Sequence, residues 1–271
     1  MSRKLIKFDY TNHLGETVKF GEGYILANKS TLKDYEWNYE IVNDEITHFN
    51  LKESGGQPNI YIWGPDRAEI ANHIHEIFEK DILANIPGTL QDGEYKKDGY
   101  IVAGAKKEYN NDAVIGLEIT FISVQKWRKE YENIYTQQTA YDEYGLDYEY
   151  DYNVDYTLDI DKHVIINESY TDSNFIMQIM GPVSNPAIFI DDHLYNVNID
   201  ILEDEYIIIN SSTKKIYKVQ ADGTEINIFY ARNRENYIFE KITPGAHALD
   251  YNEGLAFKIT ILDERSEPKW T

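Results

Sequence analysis

Apolar and polar residues alternate along much of this chain, and the alternation sets its first elements. Leu5, Ile6, Phe8 and Tyr10 lead into a polar turn at Asn12-His13-Leu14-Gly15, and Val18 and Phe20 resume beyond it. The pattern predicts a hairpin, with Gly15 supplying the backbone angles that a tight turn requires. Further strands are predicted at 23–27, 35–42 and 59–63.

The period then changes. After Gly64-Pro65-Asp66, the residues Ile70, Ile74, Ile77 and Phe78 fall at i, i+4, i+7 and i+8, which is one face of a helix. Pro65 has its φ preset for a first helical turn, and Asp66 suits the positive end of the helix. The pattern fades at Ile82 and Leu83, and Pro87-Gly88 ends it. Strands are predicted again at 93–96, 99–105 and 113–124, the last apolar enough to be buried. Trp127 follows, and then a polar stretch over 129–140 that serves as the expected boundary between a domain at 1–134 and a second at 135–271.

The second half opens on the most regular pattern of all. Tyr148, Tyr150, Tyr152, Val154, Tyr156, Leu158 and Ile160 alternate with acidic and polar residues from Asp147 to Asp161, the signature of a long amphipathic strand. Short strands are predicted at 174–180, 187–190, 193–199, 206–210, 216–219, 237–239 and 255–262. Turn signals at Asn185-Pro186, Asp222-Gly223 and Pro244-Gly245 separate several of them. The expected fold class is mainly β. It combines an N-terminal β-sandwich-like domain carrying one α-helix with a C-terminal antiparallel β-sandwich.

Composition supports that class, since 23 Tyr and 10 Phe favour pleated, half-buried surfaces. Tyrosine also recurs at protein–protein contacts, because its ring packs while its hydroxyl stays wet. The net charge of −21 argues against nucleic-acid binding through phosphate contacts. The acid is uneven: residues 1–134 hold 16 basic and 22 acidic groups, while 135–271 hold 10 and 25. Cysteine is absent, which removes thiol nucleophiles and disulfides and fits assembly in a reducing cytoplasm. With no signal-like or membrane-length apolar run, the expectation is a soluble protein that is not exported and meets no membrane.

Candidate chemistry is sparse. Asp151, Asn153, Asp155, Thr157, Asp159 and Asp161 offer oxygen donors at alternate positions, as a calcium loop does. An EF-hand, however, needs Gly where Tyr156 stands and a bidentate Glu where Lys162 stands. A solvated strand face is the simpler reading. In His73-Ile74-His75-Glu76 the two histidines diverge by roughly 200° on a helix, unlike the i, i+4 pair of zinc proteases. There is no Gly-x-Ser-x-Gly elbow and no phosphate-cradling glycine loop. No residue is assigned a catalytic, cofactor-binding or metal-binding role, and the chain is expected not to be an enzyme.

Several scattered segments resemble the distal tail protein (Dit) family of phages that infect Gram-positive bacteria. The opening FDYTNHLGETVKFGEGYIL, with Gly15-Glu16, is similar to that family's first hairpin. Gly99-Tyr100-Ile101-Val102-Ala103-Gly104 and Trp127 resemble its later strands. So do Gly181-Pro182-Val183-Ser184-Asn185-Pro186, Ile208-Ile209-Asn210, Asp222-Gly223 with Asn227, Ile242-Thr243-Pro244-Gly245 and the closing Glu267-Pro268-Lys269-Trp270. The acidic strand at 148–160 and the region around Glu36-Trp37 depart from the family pattern. The resemblance implies an N-terminal domain that closes into a hexameric ring and a C-terminal galectin-like sandwich. It also implies a hub in the virion tail tip, assembled in the host bacterium, through which DNA passes. Its partners would be the tail tube protein, the tail-associated tip protein and receptor-binding or baseplate proteins. Carbohydrate binding is not implied, because the sugar-binding His and Arg pattern of true galectins is absent around Ile226–Arg234. The competing expectation is a carbohydrate- or receptor-binding β-sandwich module, and a β-rich glycosidase stands third.

Overall fold

The computed structural model describes residues 5–28, 30–107, 113–135, 164–252 and 254–269. The alternating segment at 147–161 lies outside the described residues. The chain divides into two compact units, Met1–Lys129 with Glu264–Thr271, and Glu130–Asp263. Among the described residues, no helix is long and apolar enough to cross a membrane.

The first unit is built of antiparallel strands and, among the described residues, a single α-helix. Its strands are β1 (Phe8–Thr11), β2 (Thr17–Phe20), β3 (Ile25–Asn28), β4 (Trp37–Val42), β5 (Glu45–Leu51), β6 (Ser54–Gly56) and β7 (Asn59–Trp63). After the helix α1 (Arg67–Ala84) come β8 (Gly88–Asp92), β9 (Tyr95–Lys106), β10 (Val114–Ser123) and the start of β11 (Trp127–Tyr135). One sheet runs β2-β1-β8-β9-β11, and a second places β10 between β9 and β7, with β3 beyond β7.

Strand β9 serves both sheets. Its first residues pair with β8, from Asp92↔Tyr95 to Gly88↔Gly99. From Tyr100 onward it pairs with β10. Gly99 sits at the change of partner, where a Cβ would overlap the Ile122 carbonyl oxygen and the Phe121 ring. A strand can bend this closely against another backbone only where no side chain intervenes. The two strands expected at 93–96 and 99–105 are therefore one continuous strand. The polar stretch expected from 129 is likewise strand as far as Tyr135, whose ring is buried.

The helix forms where the apolar period predicted it. Ala71, Ile74, Ile77 and Phe78 are buried with Phe8, Tyr10, Phe20, Ile60, Ile62 and Ile119 in one core, and Ile70 packs at its margin. Replacing Ile74, which is 2% exposed, by Ala is expected to cost ~2–5 kcal/mol. A denaturant melt measures this, and a loss under about half a kcal/mol would contradict the packing.

Lys97 also enters this core. It is 2% exposed and its Nζ stands 5.4 Å from the centre of the Trp127 ring. Burial pulls its ammonium down to about 8 from 10.5. The folded state thus binds the proton less tightly than the unfolded chain does. Stability is lowest below that value and rises as pH climbs toward 10.5. Between about pH 7.5 and about 9.5 the wild-type chain should gain about 2 kcal/mol relative to Lys97→Met. Parallel pH profiles of the two melts would contradict it.

The second unit is a sandwich of two antiparallel sheets over one core. Its strands are β12 (Val164–Asn167), β13 (Asn174–Met180), β14 (Val183–Ser184), β15 (Ala187–Ile190), β16 (His193–Asn196) and β17 (Asp200–Ile201). They continue with β18 (Tyr206–Asn210), β19 (Lys215–Val219), β20 (Glu225–Asn227), β21 (Gly245–Tyr251) and β22 (Ala256–Arg265). The order β22-β13-β18-β19-β20 forms one sheet and β12-β21-β15-β16 the other. Alternate residues of both meet inside, among them Phe175, Met177, Ile207, Phe257 and Ile259 opposite Ile165, Ile188 and Leu249. The fold is mainly β, as expected.

Two local readings change. The strand expected at 237–239 is a turn, closed by the Glu240 N–H donating to the Tyr237 carbonyl at 3.0 Å. Its apolar residues Ile238 and Phe239 are buried all the same, so hydrophobicity alone imitated a strand there. The residues after Pro244 form β21, a strand whose small and polar residues concealed it.

Candidate assembly surface

The most distinctive surface of the first unit is the hairpin of β4 and β5. It forms a sheet of its own, paired from Trp37↔Leu51 to Val42↔Glu45. Asn43 and Asp44 make the turn with φ of 52° and 65°, the two left-handed residues of the tight turn that matches strand twist. At the base, the Lys52 N–H donates to the Glu36 carbonyl and its ammonium pairs with the Glu36 carboxylate at 2.8 Å.

Cross-strand pairing sorts the side chains of this ribbon cleanly. Trp37 faces Leu51, Tyr39 faces Phe49 and Ile41 faces Ile46, so one face is wholly apolar. The other carries Asn38 opposite Asn50, Glu40 opposite His48, and Val42 opposite Glu45. Most of the apolar face is uncovered: Tyr39 and Ile41 are each 60% exposed and Phe49 57%, while the Lys126 ammonium stands 5.8 Å from the centre of the Trp37 ring at the base. A two-stranded ribbon is at best marginal alone in water. A contiguous apolar patch of this size marks a contact surface in a soluble protein.

A buried polar clamp lies in the same unit. Asp81 of α1 is 0% exposed. Its carboxylate accepts from the Tyr10 hydroxyl at 2.6 Å and from the His13 backbone N–H at 2.9 Å, with His13 Nδ1 at 2.6 Å. Burial, then the hydrogen bond and charge of Asp81, push the Tyr10 hydroxyl far above its ordinary range, so it remains a donor. The turn between β1 and β2 is held by Asn12, whose side-chain oxygen accepts from the Leu14 and Glu16 N–H groups. Glu16 in turn binds Lys80 of α1 through both oxygens, at 2.7 and 2.8 Å. That hydrogen bond, with a second from Asn12, holds its carboxyl below the usual carboxylate range. Gly15, with φ of 85°, gives the turn its left-handed step.

The second unit holds a cavity of about 370 Å³. Asp191, His193, Tyr195, Lys241, Thr243 and His247 are among its lining residues. His247 places Nδ1 2.7 Å from Asp191 and Nε2 2.7 Å from the Thr243 carbonyl, so both ring nitrogens have acceptors. The His247 hydrogen bond, backed by the Ala248 N–H, holds the Asp191 carboxyl below its ordinary range. His193 Nε2 lies 2.9 Å from the backbone carbonyl of Tyr237, a residue that is half exposed.

The sequence-level candidates fall elsewhere. His73 and His75 both project from α1 into solvent, His73 toward Glu76 at 4.0 Å. Among the described residues, no three His, Asp or Glu side chains are grouped to hold a metal ion. The acidic donors from Asp151 to Asp161 lie outside the described residues. Sequence reading missed the second strand of the ribbon, although Asn43-Asp44 is a recognisable turn signal.

No family model and no curated protein matches the chain. Solved structures do. A chain of the phage P2 baseplate, in its activated conformation with calcium, aligns at a TM-score of 0.65 and 15% identity, covering 99% of this chain and 100% of that one. A chain of the phage p2 baseplate with strontium aligns at 0.64 and 15% identity over 97% and 99%. The Dit protein of phage SPP1, described as a paradigm of the hub adsorption apparatus in phages that infect Gram-positive bacteria, aligns at 0.58 and 9% identity over 95% and 99%. The fold is shared over the whole length of each.

Proposed function

We propose that this chain, which has the fold of phage baseplate and Dit hub chains, is a structural tail protein whose six copies close into a ring. The ring joins the distal end of the tail tube to the tip and host-adsorption proteins, and the genome passes through it on the way out. It assembles in the cytoplasm of the host bacterium and resides in the virion tail tip, and it carries no catalytic centre. The observation that supports this reading is the exposed apolar face of the β4–β5 ribbon, which needs a protein surface to cover it. Charge agrees: residues 1–134 hold 16 basic and 22 acidic groups and can be repeated around a ring with less repulsion than 135–271, with 10 and 25. Negative-stain images of the purified protein should show sixfold rings with an open centre. Fields of single small particles would overturn it.

A conduit must not hold its cargo. With a net charge of −21, the protein should give no retarded band with duplex DNA at micromolar concentration and low salt. A band that disappears as salt rises would reveal a basic surface and contradict the conduit.

A second reading concerns the sandwich alone. The polar cavity at Asp191 and His247, together with tyrosines exposed elsewhere on the unit such as Tyr230 and Tyr237, favours a carbohydrate- or receptor-binding module. Binding on a glycan array, abolished by Tyr237→Ala, would support it.

A further inference from the structure

We infer that the cavity of the second unit binds a sugar carrying a free amino group, with Asp192 and Glu240 receiving the ammonium and Lys241 donating to a hydroxyl. The inference rests on the carbohydrate reading above and names its ligand, and it holds whether or not the chain closes into a ring. Two backbone segments wall the cavity, and both are fixed by bonds that leave several lining side chains free. The first is the two-residue turn between β15 and β16, where Ile190 pairs with His193 and Asp191 has a φ of 50°. The Asp191 N–H donates to the Ala248 carbonyl, and its carboxylate accepts from the Ala248 N–H, each at 2.8 Å. The second wall runs from Glu240 to Thr243. The Glu240 carbonyl accepts from the buried Tyr195 hydroxyl at 2.9 Å, and Ile242 exchanges both of its backbone bonds with Ser173. The Asn167 side chain donates to the carbonyls of Ile242 and Thr243. Asp192, Glu240, Lys241 and Thr243 also line the cavity, and their side chains have no hydrogen bond or ion pair among the described residues. A preformed site loses little entropy on binding.

The balance of donors and acceptors selects the ligand. Asp191 and His247 satisfy each other at 2.7 Å, which leaves two carboxylates against one ammonium. His193 adds a third acceptor. Its Nε2 faces the Tyr237 carbonyl, which can only accept, so the neutral ring carries its proton there and leaves Nδ1 bare. Burial, then the charge of Glu240, push the Tyr195 hydroxyl above its ordinary range, so the Glu240 carboxylate acts on the cavity floor. The lining therefore suits a ligand with several O–H donors and one positive charge. An anion is disfavoured twice, by this surplus of acceptors and by the 10 basic against 25 acidic groups of 135–271. A metal ion is a poor occupant, since no three His, Asp or Glu side chains among the described residues are grouped to hold one. At about 370 Å³ the cavity lies at the small end of ligand pockets, which suits a small molecule rather than a long chain.

Calorimetric titration of the full-length protein with glucosamine tests this at about pH 7, where the amine is largely charged and both carboxylates are ionised. Binding should saturate, and N-acetylglucosamine and glucose, which lack the charge, should bind at least tenfold more weakly. Asp192→Asn and Glu240→Gln each remove one charged acceptor and keep the shape of the side chain. Each should weaken glucosamine binding about tenfold. Both positions are exposed, so the thermal melt should not move. Equal binding of the three sugars, or variants that bind glucosamine as the wild-type chain does, would overturn the inference and leave the carbohydrate reading standing. So would a chain that binds other glycans on an array but not glucosamine. Methylamine that displaces glucosamine at equal concentration would overturn the sugar in favour of a bare ammonium site. A chain that binds none of the three sugars and no glycan on the array would remove the carbohydrate reading, and the inference with it.

Discussion

A chain carrying Tyr39→Glu and Phe49→Glu should remain a monomer of about 31.6 kDa at concentrations where the wild-type chain is fully assembled. The two rings face each other across β4 and β5 at the centre of the apolar face, and both are more than half exposed in the single chain. Buried aromatic anchors at the centre of an interface are each worth ~2 kcal/mol or more. Replacing both with charges weakens each contact by roughly 10³-fold, and a ring repeats that loss at every contact. Because neither side chain lies in the core, the melting profile should barely move. Light scattering together with a thermal melt separates the outcomes. A double variant that still assembles would remove the ribbon from the interface, whereas one that unfolds would show that the ribbon supports the chain's own fold.

Asp81→Ala should cost about 3–5 kcal/mol of stability in the first unit. The carboxylate is 0% exposed and serves the Tyr10 hydroxyl, the His13 backbone N–H and the His13 ring together. Removing it leaves buried donors without a partner, which costs more than the bonds themselves contribute. Tyr10→Phe, which removes one donor and leaves the carboxylate its His13 contacts, should cost only about 1 kcal/mol. A denaturant melt of both variants tests the clamp. Equal losses would mean that Tyr10 alone holds Asp81 and that the His13 contacts contribute nothing.

The parts of the fold legible in the sequence are those with an unbroken period. The face of α1 was readable from Ile70, Ile74, Ile77 and Phe78, because burial on one side of a helix enforces the 3.6-residue spacing. Strands β13 and β18 were readable because alternate residues enter a single core, as in the Phe175, Met177, Ile179 series. Strand β5 was not, and the reason is visible in its pairing. The register shifts after Glu40, leaving Thr47 as an extra residue, so Ile46 and Phe49 lie three apart although they share a face. Strand β21 was hidden for a different reason, since His247 is buried by its hydrogen bonds to Asp191 and Thr243 rather than by hydrophobicity. The candidate assembly surface was only half legible. Its first strand lay within an expected element, but nothing in a linear pattern says that an apolar face will be left uncovered. Asp81 looked like an ordinary helical acid, since its partners stand 68 and 71 residues away.

The native mass of the full-length protein tests the central claim most directly. Measured at micromolar concentration and near-physiological salt, it should be that of six copies of 31.6 kDa, about 190 kDa, and should not grow further as concentration rises. A mass of one or two copies that holds over the same range would contradict the account of this chain as a closed-ring tail hub.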